Sequence, residues 1–194
     1  MTALPLPLFP TLHTPRMLLR ELVAADAPAL FDMRSDPEVM KLVSRPLMTR
    51  PDEADTLVEL IRTNQTHGTS LHWAMALHGQ PTLIGLIGYW RMQPEHHKAE
   101  LGYMLARNQW GRGLISEAID AVVRCGFDIL RLHRVEAITA PDNHASRRVL
   151  AKNGFAQEGY FKEDHLWQGR FEDSVHFGRV TDIAIKNDPS RRTA

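Results

Sequence analysis

The hydrophobic pattern along the chain changes period several times, and each change marks an element. Residues 16–21 read as a short strand after a proline-rich arm. From Asp26 the spacing turns helical, with Leu30 and Met33 on one face. That helix is predicted to end near Asp36-Pro37, because the residue before a proline avoids the helical region. A second helix is predicted after Thr49, with Thr49 as N-cap, Pro51 and acidic residues in the first turn, and Leu57, Leu60 and Ile61 as its apolar stripe. Gly68 closes it. Three strands follow at 71–77, 82–92 and 99–106, joined by links short enough to favour antiparallel pairing. Then Ile115, Ala118, Ile119, Val122 and Val123 return to helical spacing. A strand at 133–140, a helix from His144 to a glycine C-cap at Gly154, and strands at 156–167 and 171–180 complete the chain.

The order β-α-α-β-β-β-α-β-α-β-β predicts an α/β fold, a mixed sheet with helices on its faces. No internal repeat, low-complexity linker or domain boundary interrupts it. The reading is an N-terminal arm at 1–13, one domain at 14–182 and a polar tail at 183–194.

Composition narrows the function. The 194 residues suit a single domain with a large core. Basic and acidic residues number 23 each, so no overall field draws the chain to nucleic acid or an anionic membrane. No run of about 18 apolar residues predicts a membrane span. The first ten residues lack the basic segment of a signal peptide, and their prolines break its apolar segment. The expected location is the cytoplasm. Cys125 is the only cysteine and falls in an apolar helical pattern, so it reads as a core residue rather than a nucleophile. The ten histidines include no i, i+4 pair and no cysteine partners, so no metal site is expected.

The chemistry concentrates in two blocks. In the first, residues 99–119, a strand runs into a loop with Gly111 and Gly113 and then into a helix. Glycines permit tight turning and close approach of a ligand. The free N–H groups of the first helical turn, backed by the helix dipole, suit a phosphate, and Arg112 adds a charge. Alone, such a junction is equally a tight turn and a cap. No Lys-Ser/Thr follows the glycines, so it is not a P-loop, and a third glycine is missing for a dinucleotide fingerprint. In the second block, residues 133–155, a strand, a Pro-Asp-Asn turn and a helix follow. Asn143 stands at the helix start as an N-cap or a ligand group. Ser146 lies one turn on, and Arg147, Arg148 and Lys152 form a basic face, either solvated or facing phosphates.

Together the blocks resemble motifs A and B of the GNAT acetyltransferases. Motif A, (Q/R)-x-x-G-x-(G/A), reads here Asn108-Gln109-Trp110-Gly111-Arg112-Gly113, departing at its first position. Residues 110–119, 134–159 and 160–178 are most similar to the ribosomal-protein N-terminal acetyltransferase branch (RimJ/RimL type), and the resemblance spans roughly 14–180.

The resemblance implies a GNAT fold: a mixed, mostly antiparallel sheet with a V-shaped split between two neighbouring parallel strands, here 99–106 and 133–140. It implies acetyl-CoA as acyl donor and no metal. Backbone at Met104, Leu105 and Ala106 is then expected to meet the pantetheine arm. The N–H groups of Gly111, Arg112, Gly113, Leu114 and Ile115 would hold the pyrophosphate, Asn143 would bond the pantetheine or an active-site water, and Trp110, Ser146 and Arg147 complete the expected cofactor contacts. Glu100 is the expected general base, its other reading being a salt-bridged surface glutamate. The tyrosine that many members carry seven residues after the motif B asparagine is replaced by Leu150. Ser146 is the expected partner of the leaving thiolate, with Tyr103 and Tyr160 as alternative phenols.

The acceptor implied is a primary amine, a peptide N-terminus or a small molecule, approached along 35–50 and 160–172. A homodimer is also implied. Two further readings stand beside this one: a non-catalytic acyl-CoA-binding module, and an enzyme for another acyl group such as succinyl.

Overall fold

The computed structural model describes residues 9–181. The first eight residues of the arm and the tail at 183–194 lie outside the described residues. Eight strands form one sheet: β1 (Leu12–His13), β2 (Met17–Glu21), β3 (Leu71–Leu77), β4 (Gly85–Gln93), β5 (Lys98–Leu105), β6 (Arg134–Thr139), β7 (Ala156–Trp167) and β8 (Arg170–Val180). Their spatial order is β1-β2-β3-β4-β5-β6-β8-β7. Every neighbouring pair is antiparallel except β5 and β6.

Helices cover both faces, as the α/β reading requires. On one face lie α4 (Leu114–Asp128) and α5 (His144–Lys152). Leu114, Ile119 and Val122 of α4 pack there with Trp73, Ile87, Leu101 and Val135. The buried Tyr89 hydroxyl donates to Val122 O at 2.9 Å. Gly126 permits this approach, since a Cβ there would overlap the phenol oxygen. Cys125 is a core residue of α4, and burial pushes its thiol up to about 12. On the other face lie α1 (Ala27–Ser35) and α3 (Asp52–Thr66), with Leu30, Met33, Val58 and Ile61 packed against Ala74 and Leu86.

Three local readings change. Asp36-Pro37 ends α1 as predicted but also starts a further helix, α2 (Pro37–Met40), because Asp36 accepts from Glu38 N at 2.8 Å and Pro37 suits a first helical position. Thr49 is not the cap of α3. Its N–H and hydroxyl both donate to Glu53 Oε1, which also takes Arg50 N–H. The buried stripe of α3 is Ala54, Val58 and Ile61, while Leu60 is exposed. Spacing of four and three places the buried trio on one side, and Leu60 falls off it. Part of the arm also joins the sheet: β1 pairs with β2, and Trp73 Nε1 donates to Pro10 O at 2.6 Å.

Candidate active site

The sheet opens where β5 and β6 part. Their parallel pairing covers only Lys98↔Arg134, Ala99↔Val135 and Glu100↔Glu136. Beyond it β5 continues with β4 to Leu105, and β6 with β8 to Thr139. Ala106 N–H bonds Ile84 O at 2.8 Å, which sets the phase of the β4–β5 ladder. Alternation then sends the polar groups of Gly102 and Met104 to β4 and those of Leu101, Tyr103 and Leu105 to the open edge. The expectation for Met104 and Ala106 changes accordingly. Their N–H groups face β4, and both side chains pack against the α1–α3 core. Leu105 O at the edge is taken by Trp110 Nε1 at 2.8 Å.

The strand leads into the glycine loop. Gly111 and Gly113 have φ of 73° and 76°, a conformation that disfavours other residues. Gly113 sits at the N-cap of α4, so the N–H groups of Leu114, Ile115 and Ser116 begin the helix without i−4 partners. The loop is tied from below. Arg16 donates to Arg112 O at 2.7 Å and pairs with Glu117 at 2.7 Å. Glu117 also accepts from the Thr14 hydroxyl and from Arg16 N–H. Burial would raise this carboxyl, but the hydrogen bonds and the Arg16 charge hold it below the usual glutamate range. A cleft of about 730 Å³ opens beside the loop, lined by Arg16, Arg112, Gly113, Lys152, Asn153 and Arg179 among others. Its four cations outnumber its carboxylates, Glu117 and Asp120.

The helix α5 brings the second block to the split. Asn143 caps it, its Oδ1 accepting from Ser146 N–H at 3.0 Å, so the amide oxygen is engaged by the helix itself. The Ser146 hydroxyl meets the Tyr103 hydroxyl at 2.7 Å. Burial pushes the Tyr103 phenol up to about 12, and the contact with Ser146 opposes this in part. Leu150, in the place of the family tyrosine, is buried in the core. Arg147 does not line the cleft beside the loop. Its guanidinium donates to Pro141 O at 2.9 Å and to Gln157 Oε1 at 3.2 Å. Tyr160 is exposed on β7 and donates to Asp173, remote in partnership from Ser146.

Glu100 lies on the opposite side of β5 from Tyr103, as alternation requires. It pairs with Arg91 at 3.0 Å and keeps 24% of its side chain exposed. The structure therefore brings Tyr103, Asn143 and Ser146 together on one side of the split and sets Glu100 on the other. Farther out, the Ser44 hydroxyl donates to Glu172 Oε2 at 3.0 Å and lies 3.1 Å from His165 Nε2. This contact ties the 41–50 stretch to the β7–β8 hairpin. Arg16 and Arg179 are cleft residues that the sequence did not indicate. Each is far in sequence from the loop it serves, and neither lies in a motif.

A family model described as an acetyltransferase (GNAT) domain matches residues 16–156. The uncharacterized N-acetyltransferase p20 of Bacillus licheniformis is 32% identical over 167 residues, 86% of this chain and 94% of the relative. A ribosomal-protein-serine acetyltransferase of Escherichia coli is 32% identical over 100 residues, 52% of this chain and 56% of that one. Among solved structures, RimL, a ribosomal L7/L12 alpha-N-protein acetyltransferase in complex with coenzyme A, superposes with a TM-score of 0.82 at 20% identity. That match covers 89% of this chain and 99% of RimL. With the parallel pair, the glycine loop and the capped α5 in place, the chain belongs to the GNAT acetyltransferase family and is an N-acetyltransferase.

Proposed function

We propose that this protein moves an acetyl group from acetyl-CoA to a primary amine by direct attack in a ternary complex. The observation that carries the reading is the three-residue parallel pairing of β5 and β6, which leaves an open strand edge flanked by the N-terminus of α4 and by Ser146. The residues fit the donor. Free N–H groups at the start of α4 suit a pyrophosphate, and Arg16, Arg112, Lys152 and Arg179 suit its remaining phosphate. Edge groups of Leu101, Tyr103 and Leu105 suit the amide-rich pantetheine arm, in the manner of an added strand.

In this reading Glu100 takes the proton of the attacking amine, directly or through a water. An N-terminal amine has an unperturbed pKa of about 8, so a modest base suffices near neutrality. Edge N–H groups of β5 stabilise the charge developing on the thioester oxygen. Ser146 donates a hydrogen bond to the leaving thiolate, and Tyr103, which keeps its proton at neutral pH, donates one to Ser146, so the thiolate leaves stabilised and takes its proton from solvent. Asn143 orients Ser146 by capping its backbone.

The acceptor approaches past the 41–50 stretch and the β7–β8 hairpin, joined by Ser44, His165 and Glu172. Relatives named as ribosomal-protein acetyltransferases support a peptide N-terminus as the first acceptor class to try. The test is thermal unfolding with acetyl-CoA, dephospho-CoA and ATP, followed by CoA release with N-terminal peptides and small amines. Acetyl-CoA at 100 times its Kd adds about 2.7 kcal/mol to stability. Dephospho-CoA gives a smaller shift if the cationic cleft holds the 3′-phosphate. No shift with acetyl-CoA would defeat the reading.

A further inference from the structure

Trp90 occupies an irregular place in the sheet. In the β4–β5 ladder Tyr89 pairs with Leu101 and Arg91 with Glu100, so Trp90 has no opposite residue. It is the extra residue of a β-bulge. Bulges bend a strand and re-aim its side chains. This one falls opposite Glu100, the last residue of β5 that pairs with β6. The bulge and the vertex of the split coincide.

The indole lies across β5. A Cβ on Gly102 would overlap Nε1 and Cδ1 of Trp90. Gly88, opposite Gly102, is covered in the same way, because a Cβ there would overlap the ring of His72. The two rings meet edge to face, with centroids 4.0 Å apart. His72 is 1% exposed, and neither ring nitrogen has a hydrogen-bond partner among the described residues. It serves as a neutral brace packed behind the indole. Trp90 itself is 41% exposed, and its Nε1 has no partner among the described residues. One face of the indole thus covers a glycine floor and the remainder is open to solvent at the vertex. A fully buried core tryptophan would not be left in this way.

Gly102 lies two residues past the point where β5 leaves β6, between Leu101 and Tyr103, whose polar groups face the split. From these contacts we infer that Trp90 sets the length of the acyl group, admitting acetyl and excluding longer chains. The inference rests on the donor site proposed above. With the pantetheine arm along the β5 edge, the thioester ends near the vertex, where the indole fills the space over Gly102. A methyl group fits short of the ring. Each added methylene must displace an indole held by His72. Discrimination by a methylene in an apolar pocket is typically about 10- to 200-fold.

The experiment is isothermal titration of CoA, acetyl-CoA and butyryl-CoA into the wild-type protein, Trp90→Ala and Trp90→Leu. It needs no acceptor. The wild type is expected to bind acetyl-CoA at least about tenfold more tightly than butyryl-CoA. In Trp90→Ala that preference falls to about threefold or less, while the affinity for CoA itself stays within about threefold. Trp90→Leu gives an intermediate preference and serves if the alanine variant does not fold. Equal affinities of the wild type for the two thioesters, or an unchanged preference in both variants, overturns the inference while leaving the donor site intact. Failure of the wild type to bind CoA at all removes the donor site, and the inference with it.

Discussion

The Tyr103 hydroxyl lies 2.7 Å from the Ser146 hydroxyl, joining the open strand of the split to the first turn of α5. Serine alone is a weak proton donor to a thiolate. A phenol behind it, itself neutral, donates a hydrogen bond to the serine oxygen and so strengthens the hydrogen bond that the serine can give to a thiolate. Ser146→Ala is expected to lower kcat by about 10- to 100-fold with acetyl-CoA affinity nearly unchanged. Tyr103→Phe, which keeps the ring in place, is expected to lower kcat less, by about tenfold. Single-turnover measurements at saturating donor check both. An unchanged rate in Ser146→Ala would take the pair out of the mechanism.

Glu100 pairs with Arg91 on the side of β5 away from Ser146. If it is the base, Glu100→Gln lowers kcat by about 100-fold or more and removes the acidic limb of the pH–rate profile. Arg91→Ala leaves the base present but without its partner cation. It is expected to keep the pH dependence of the wild type and to change the plateau rate little. A pH–rate series on the three proteins separates a base from a glutamate that only holds the surface together.

Two glycines share a backbone conformation and differ in place. Gly111 has φ of 73° and Gly169 of 77°, and a Cβ at either meets open space. The conformational penalty of alanine is therefore alike, about 1–2 kcal/mol. Gly169 lies at the turn between β7 and β8, and Gly111 lies before α4. Gly111→Ala and Gly169→Ala are expected to lose similar stability, but only Gly111→Ala weakens acetyl-CoA binding, by about tenfold or more. Equal binding in the two variants would mean that the loop does not meet phosphate.

Glu117 fastens the loop to the arm through Thr14 and Arg16. Its carboxyl is held lower in the folded protein than in the unfolded chain, so folding favours the charged form. Its contribution to stability is complete above the ordinary glutamate pKa and is lost as pH falls through the depressed folded value. Glu117→Gln is expected to lose about 2 kcal/mol near neutrality, from charged hydrogen bonds, which lowers Tm by roughly 4–8 °C. The gap between variant and wild type should narrow as pH falls below about 4.5. Thermal unfolding across pH 3–7 measures it. A gap that stays constant with pH would show that Glu117 contributes shape rather than charge.

The sequence by itself determined the order of the elements and the local conformations that matter for chemistry. Gly111 and Gly113 announce a positive-φ loop, Asn143 a helix start and Ser146 a place in its first turn, because caps and turns depend on residues a few positions apart. Alternation and helical spacing likewise located most strands and helices, and erred at Thr49 and Leu60, where one side chain chose between two nearby roles. Only the tertiary structure decided the partners. Tyr103 and Ser146 are 43 positions apart, and Arg16 and Glu117 are 101 apart. The turning of Arg147 toward Gln157 and of Trp90 across Gly102 depends on which strand lies alongside. Such contacts gain their energy only after the sheet order is fixed, and no short stretch of sequence encodes that order, since each strand's pattern states which face is apolar and not which strand will lie beside it.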